Sequence, residues 1–468
     1  MTASLLDAYQ LLQAGAESLA VVERQGICID VEYCRTTIAW LEDKISQAER
    51  RLSRTDLAKA WVKRYGDKVN YDSGPQLQSV LYADLHIAPF KQTQTGEGGS
   101  IDEESLRQVD LPGIDNLLQK RRYKKMKDTL SGFLRFQVNG VLHPSFLLHT
   151  VSTYRSSSAD PNMQNTHKRD KEAMEICRRA IIPRKGHIII EVDFSGLEVN
   201  ISCTYHEDPE MMRYLNDPKS DMHADTAFDL FKLQDYGSVA KLKSVKNFSS
   251  ILRQSAKNGF VFPEFYGDFY EPCAFNVAFR WCKLPRTGDW CDTDGIEFDG
   301  KPIGAHMLRA GFTSLEDFTQ HVKSVEDKFW NRRFKVYSKW RKDWFAEYQR
   351  TGTFDMHTGF RVGGLLGKNM VVNYPVQGAA FHCLLKVLIE LVRRMKGWRS
   401  AVIGEIHDSA LIDCHPDEFH KVVDLCRHLC SEWLARQWTW INVPLRVEVQ
   451  TSKIDGSWAD MRVVSEVA

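Results

Sequence analysis

The chain has 468 residues, of which 43% are hydrophobic, 11% aromatic and 26% charged, a composition that excludes a disordered or fibrous protein and leaves room for two to four domains. Lys and Arg number 62 against 61 Asp and Glu, a formal charge of +1, which argues against coating nucleic acid or anionic membrane by bulk charge but permits a local basic face. Met1 to Ala20 has no basic n-region, no apolar run approaches membrane-spanning length, and the eleven cysteines lack a CxxC pair, so reduced thiols in an intracellular protein are expected.

Residues 1 to about 135 are expected to be mainly helical. Ser4 to Arg24 and Glu32 to Leu52 carry apolar residues at three- and four-residue spacing, and Asp30 stands before the second run as an N-cap. The densest charge run follows, Lys120-Arg121-Arg122-Tyr123-Lys124-Lys125-Met126-Lys127, with six cations in eight residues. Taken alone, it reads equally as a solvated helix face and as a phosphate-binding one.

From residue 136, Gly140, Pro144, Ser156 to Ser158 and Pro161 punctuate a loop-rich stretch. It ends in His187-Ile188-Ile189-Ile190-Glu191-Val192-Asp193, a buried strand closing on a carboxylate. The chain between the strands is mostly helical, except that 268–300 is rich in Gly, Pro and aromatics, with five acids and no base over 289–299. An amphipathic helix is expected from Gln377 to Lys396 and another from Asp417 to Trp438. Between them, Ala401 to Ile406 and Ala410 to Asp413 read as a hairpin with His407-Asp408 at its turn, and Leu445 to Val449 as a further strand.

Asp193 and Asp408 thus both follow short apolar strands that could be neighbours in one sheet. Two such carboxylates can hold two divalent cations roughly 4 Å apart, the arrangement that activates an attacking hydroxyl and neutralises a leaving oxygen in phosphoryl transfer. In Arg253-Gln254-Ser255-Ala256-Lys257, helical spacing puts two cations on one face, able to grip a triphosphate, and Tyr266-Gly267 follows.

Together these segments resemble family A DNA polymerases, the group that includes bacterial DNA polymerase I and many phage replicative enzymes. Asp193-Phe194-Ser195-Gly196-Leu197-Glu198 is similar to the family's motif A, Arg253 to Gly267 to its fingers helix, and Ile406-His407-Asp408 to its motif C. Further matches are Arg155-Ser156-Ser157 with Asp160-Pro161-Asn162-Met163-Gln164-Asn165, Asp221-Met222-His223 with Thr226-Ala227, and Asn373-Tyr374-Pro375-Val376-Gln377-Gly378. Gly26 to Asp30 and Asn70 to Leu77 resemble the segment before the palm, and the compact form is most similar to phage-encoded members.

The resemblance implies an α+β right-hand polymerase fold, with a helical thumb over 1–135, a palm on an antiparallel sheet from 136–210 and 370–468, and helical fingers over 211–369 with an enlarged 268–345 segment. It implies a template-directed DNA polymerase, a nucleotidyltransferase that adds dNTPs to a primer 3′-hydroxyl. Asp193, Asp408 and the backbone carbonyl of Phe194 would hold two Mg²⁺ ions, or Mn²⁺ in their place. Arg253, Lys257 and His223 would bind the incoming triphosphate, Lys257 also giving a proton to departing pyrophosphate, and Arg178 or Arg179 would add a phosphate contact. Glu198, paired to Tyr266, would close the space a ribose 2′-hydroxyl needs. Arg155, Asn373 and Gln377 would touch the minor groove at the primer end, His407 the DNA, and Lys124, Lys125 and Lys127 the duplex backbone. Primer–template DNA and dNTPs are the implied partners, with no membrane.

Four departures from the family pattern carry expectations. One residue is inserted between Lys257 and Tyr266, and Pro263 should kink or bulge that helix. Ser409 stands where the family has Glu, and Gly196 where it has Gln, so a third carboxylate near the metals is missing. Asp30-Val31-Glu32 matches the Asp-x-Glu of the family's exonuclease domain only in form, so proofreading is expected from a separate exonuclease, with a processivity protein as another partner. The tryptophans 281, 290, 330, 340 and 344 are expected to be core. A metal-dependent HD-type phosphohydrolase using His407-Asp408 and a non-catalytic DNA-binding relative are the alternatives.

Overall fold

The computed structural model describes residues 3–93, 96, 98–164, 170–406 and 408–464. His407 and Asn165, both among the matched motif residues, lie outside the described residues.

Helix α1 (Leu5–Gln25) buries Ala8, Leu11, Leu19 and Val22 in the same core as the central sheet. The sequence reading gave this helix to the thumb, yet its apolar stripe packs with the sheet layer. The stalk begins only at α2 (Val31–Leu52), whose N-cap is the expected Asp30, accepting from the Tyr33 amide at 2.8 Å. It runs antiparallel to α3 (Ile114–Phe136), with Arg51 donating to Gln119 near one end and Trp40 meeting Tyr123 edge-on further along. Residues between the two helices fold into a tip with its own small core, including Leu57, Trp61, Leu77, Leu81 and Leu106.

The central sheet has five strands, β1 (Ile188–Phe194), β2 (Ala401–Ile406), β3 (Ser409–Cys414), β4 (Val447–Thr451) and β5 (Arg462–Val463), in the order β2-β3-β1-β4-β5, all antiparallel. β1 takes the centre because its run is apolar on both faces. Ile188, Ile190, Val192 and Phe194 enter one core, whereas Ile189 enters another beneath the stalk. Glu191 and Asp193 continue the Ile189 face, so that face turns polar toward the strand's end. β4 starts two residues later than the sequence suggested.

Helix α4 (Lys368–Arg394) lies against the first face. It begins nine residues before the expected start and runs through Pro375, because Val371, Val372 and Val376 on either side of that proline are buried. By length and composition α4 could cross a bilayer, which corrects the expectation that no run is long enough. Its apolar window is 78% buried inside the protein, so it is the core helix of the sheet layer.

A second helical unit has a separate aromatic core that includes Phe231, Phe248, Phe260, Phe318, Phe329 and Phe334 and reaches Tyr337. Tyr348, Phe354, Met356 and Phe360 belong instead to the sheet's core, so packing divides the chain well before residue 369. Trp290 is buried, Trp330 donates to the buried Glu264 at 2.7 Å, and Trp344 donates to the Val371 carbonyl at 3.1 Å while stacking on Trp340. These four indoles are built into the fold, in keeping with the core reading.

Candidate active site

Pairing of β1 with β3 sets Ser409 opposite Asp193, and the Phe194 amide donates to the Asp408 carbonyl at 3.3 Å. Two carboxylate-bearing residues more than two hundred positions apart therefore become neighbours, Asp193 at the end of β1 and Asp408 in the β2–β3 turn. The donor set, two carboxylates and a nearby main-chain carbonyl, is all hard oxygen and suits Mg²⁺, which is usually held by one or two carboxylates with substrate phosphates completing its shell. Among the described residues no group of three His, Cys, Asp or Glu converges on a metal position. Ser409 turns away to donate to Glu191 at 3.2 Å, and the Trp458 indole donates to the other Glu191 oxygen at 2.8 Å. Arg178 stacks on that indole, 3.8 Å from its ring centre, while Arg179 pairs with Glu175 at the surface. Arg178 also lies 3.6 Å from Glu191, and its buried Nε has no hydrogen-bond partner among the described residues.

The helix over 253–266 is α-helical at Arg253–Ala256, widens to a π-turn at Lys257–Val261, and is α-helical again at Phe262–Tyr266. The π-turn takes up the extra residue ahead of Pro263, so the bulge expected from sequence is present. Tyr266 therefore still reaches motif A: its hydroxyl donates to Glu198, and Asn373 caps its carbonyl at 3.3 Å. Phe260 and Phe265 point into the aromatic core, Phe265 against Phe329, Phe334 and Tyr337. Phe262 instead meets His223 edge-on at 5.7 Å and lies under the Lys257 ammonium at 5.2 Å.

Arg253 is held by Asp221, its Nε 2.8 Å from the carboxylate, and Asp221 also caps the helix carrying His223 by accepting from the Ala224 amide. Burial, with Arg253 and Lys257 close by, pushes His223 down to about 4, so its imidazole is neutral at pH 7. Burial and then Arg253 lower the Lys257 ammonium as well. Next to this cluster opens a cavity of about 220 Å³ lined by Glu198, Phe262, Tyr266, Asn373, Gln377 and Asp408 among others.

Three features escaped the sequence reading. Arg155 donates to Glu198 at 2.8 Å, so the Glu198 carboxylate is gripped from two sides. Glu405, fully buried on β2, accepts from Ser156 and from Gln164, the latter at 2.7 Å, and burial raises its carboxyl to about 7. A Glu inside the apolar run Ala401 to Ile406 was the available signal, since a buried charge needs partners. The basic run, finally, spends much of its charge on carboxylates of the stalk and its neighbours. Lys120 is buried against Glu49 and Asp72, Lys124 pairs with Asp72 at 2.8 Å, Lys127 with Glu42 at 3.5 Å, and Arg122 with Asp170 and Glu172. Lys125 is exposed.

A family model, DNA polymerase family A, matches residues 39–261. The chain is 24% identical over 445 residues to DNA polymerase I of Synechocystis, covering 92% of this chain and 40% of that protein. It is 25% identical over 444 residues to the thermostable DNA polymerase I of Thermus thermophilus, covering 92% and 46%. The chain thus spans less than half the length of these relatives. Its structure superposes on the POL domain of Pol1 from M. smegmatis in complex with DNA primer-template and dNTP, with a TM-score of 0.72 and 21% identity, covering 96% of this chain and 70% of that one. The fold is therefore the α+β polymerase hand, and over residues 39–261 the chain is similar to DNA polymerase family A.

Proposed function

We propose that this chain is a template-directed DNA polymerase that adds dNTPs to a primer 3′-hydroxyl by two-metal phosphoryl transfer, with the stalk and tip as thumb, the sheet layer as palm and the second helical unit as fingers. The observation that carries this reading is the juxtaposition of Asp193 and Asp408 across the β1–β3 pairing, beside a cavity whose other wall is the Arg253–Tyr266 helix. The relative solved with primer-template and dNTP supports the same partners for this chain.

Asp193, Asp408 and the Phe194 carbonyl would hold two divalent cations, Mg²⁺ by donor chemistry, which when bound lower the pKa of the attacking hydroxyl and offset charge on the leaving oxygen. Arg253, pre-oriented by Asp221, and Lys257, one turn on, grip the triphosphate. The reduced proton affinity of Lys257 brings it nearer to working pH, which suits it to protonate departing pyrophosphate. Neutral His223 contributes a hydrogen bond without adding to local positive charge. Glu198, fixed by Arg155 and Tyr266, floors the sugar position, and Asn373 and Gln377 project from α4 toward the primer terminus.

Primer extension with Mg²⁺ and dNTPs tests the reading. Asp193→Asn and Asp408→Asn should each lower incorporation by about 10³-fold, the loss of several kcal/mol of transition-state stabilisation, while primer–template binding persists. Full activity in either variant removes the two-metal assignment. DNA-independent nucleotide hydrolysis by the parent protein would favour the phosphohydrolase alternative.

A further inference from the structure

A second, polar cleft of about 630 Å³ lies between the stalk tip and the second helical unit, with Thr55, Gln108 and Asn116 on one side and Phe279 and Lys283 on the other. The two units touch around it. Arg280 pairs with Glu104 at 2.7 Å, and Arg286 donates to Gln108 at 3.1 Å. The Arg286 guanidinium also lies 4.9 Å from the ring centre of Phe90 and 5.2 Å from that of Phe275, and the two rings are themselves 5.2 Å apart. Arg286 and Phe275 share the enlarged segment, residues 275–286, and the other contacts each join that segment to the tip, residues 90–108.

We propose that these contacts form a clasp: sheet, stalk, tip, enlarged segment and second helical unit close into a ring, the primer–template duplex passes through it, and the clasp must part to admit DNA that has no free end. The proposal rests on the polymerase reading above and adds a topological hold on the substrate.

The chemistry of the contact suits a latch. Each side has its own apolar core, so neither needs the other to stay folded. What joins them is a half-exposed ion pair, one neutral acceptor and a cation over aromatic rings, contacts that are individually weak and release without exposing a core. Glu104 keeps a second partner, Lys91 at 2.9 Å, when Arg280 withdraws, so opening leaves no orphaned carboxylate. The polar cleft alongside gives water a route into the joint.

The test uses the full chain carrying Cys291→Ser, which removes the one exposed thiol among the described residues, with Glu104→Cys and Arg280→Cys bridged by a cleavable bifunctional thiol-reactive reagent such as a bis-maleimide. Bridged before mixing, the protein should extend a primer on a linear template, fail on a primed single-stranded circle, and recover on the circle after cleavage. Bridged after loading, it should stay on the circle in high salt but slide off the linear template. Equal extension of linear and circular templates by the bridged protein overturns the ring. So does failure on both templates reversed by cleavage, since a closed clasp would then block the cleft instead of encircling DNA. If the unbridged protein extends neither template, the polymerase reading falls, and the clasp with it. Charge reversal gives a second measure: Glu104→Arg and Arg280→Glu should each shorten products per binding event several-fold while leaving single-nucleotide insertion unchanged, and the double swap should restore length. Unchanged product length in both single variants overturns the proposal.

Discussion

At the scale of single residues, the site is organised by carboxylates whose partners come from distant segments. Glu405 is the clearest case, because it is fully buried yet accepts from Ser156 and Gln164 on one oxygen. Burial raises its carboxyl from an ordinary 4.5 to about 7, so between those values the folded chain binds a proton that the unfolded chain has lost. Stability contributed by this proton is fully present below about pH 4.5 and is lost as pH rises through 7, at most about 3 kcal/mol in all. Glu405→Gln keeps an oxygen to accept both hydrogen bonds and removes the titration. It should leave stability nearly unchanged at pH 4.5 and raise it by up to about 3 kcal/mol at pH 8, measured by urea unfolding at each pH. An equal difference at both pH values would show that Glu405 stays charged in the folded protein.

At the scale of elements, α4 couples the core to the site through one glycine. A Cβ added at Gly378 would stand 2.4 Å from the Thr153 carbonyl oxygen and 2.9 Å from the Met356 sulfur. Backbone cannot yield as a side-chain end does, so the 153–155 segment must shift and take Arg155 off Glu198. Gly378→Ala should cost about 1–3 kcal/mol of stability, typical of overpacking, and weaken primer-end binding, read by urea unfolding and by primer–template titration. Wild-type values in both would mean that α4 is free to slide. The elements themselves were largely legible: the β2–β3 hairpin announced itself by apolar runs flanking a polar turn, and the π-turn by an extra residue before Pro263. The start of α4 was not, because Pro375 reads locally as a breaker and only the buried valines around it carry the helix through. The membership of α1 was also hidden, since its periodicity equals that of the stalk helices and which core a stripe joins is decided by the tertiary fold.

At the scale of the whole molecule, net charge near zero conceals how cations are spent. Six cations in eight residues suggested a basic thumb face, but a sequence counts charges without showing their partners, and much of this run is paired within the stalk and its neighbours. Exposed Lys125, with the partly exposed Lys124 and Lys127, is what remains to face phosphate. Lys124→Ala, Lys125→Ala and Lys127→Ala combined should lower primer–template affinity and reduce the slope of log K against log salt by about 1 to 3, near one for each phosphate no longer neutralised. Single-nucleotide insertion at saturating DNA should change less than about twofold, because none of the three reaches Asp193 or Asp408. Affinity should fall further than the slope alone predicts, since Asp72 and Glu42 lose lysine partners and then repel the backbone. Glu42→Gln separates the two effects: by releasing Lys127 from its ion pair it should tighten DNA binding modestly at low salt, and the gain should vanish as salt screens it. A salt slope identical in the triple variant and the parent would leave the run as a solvated stalk face, with duplex held by the palm and the tip alone.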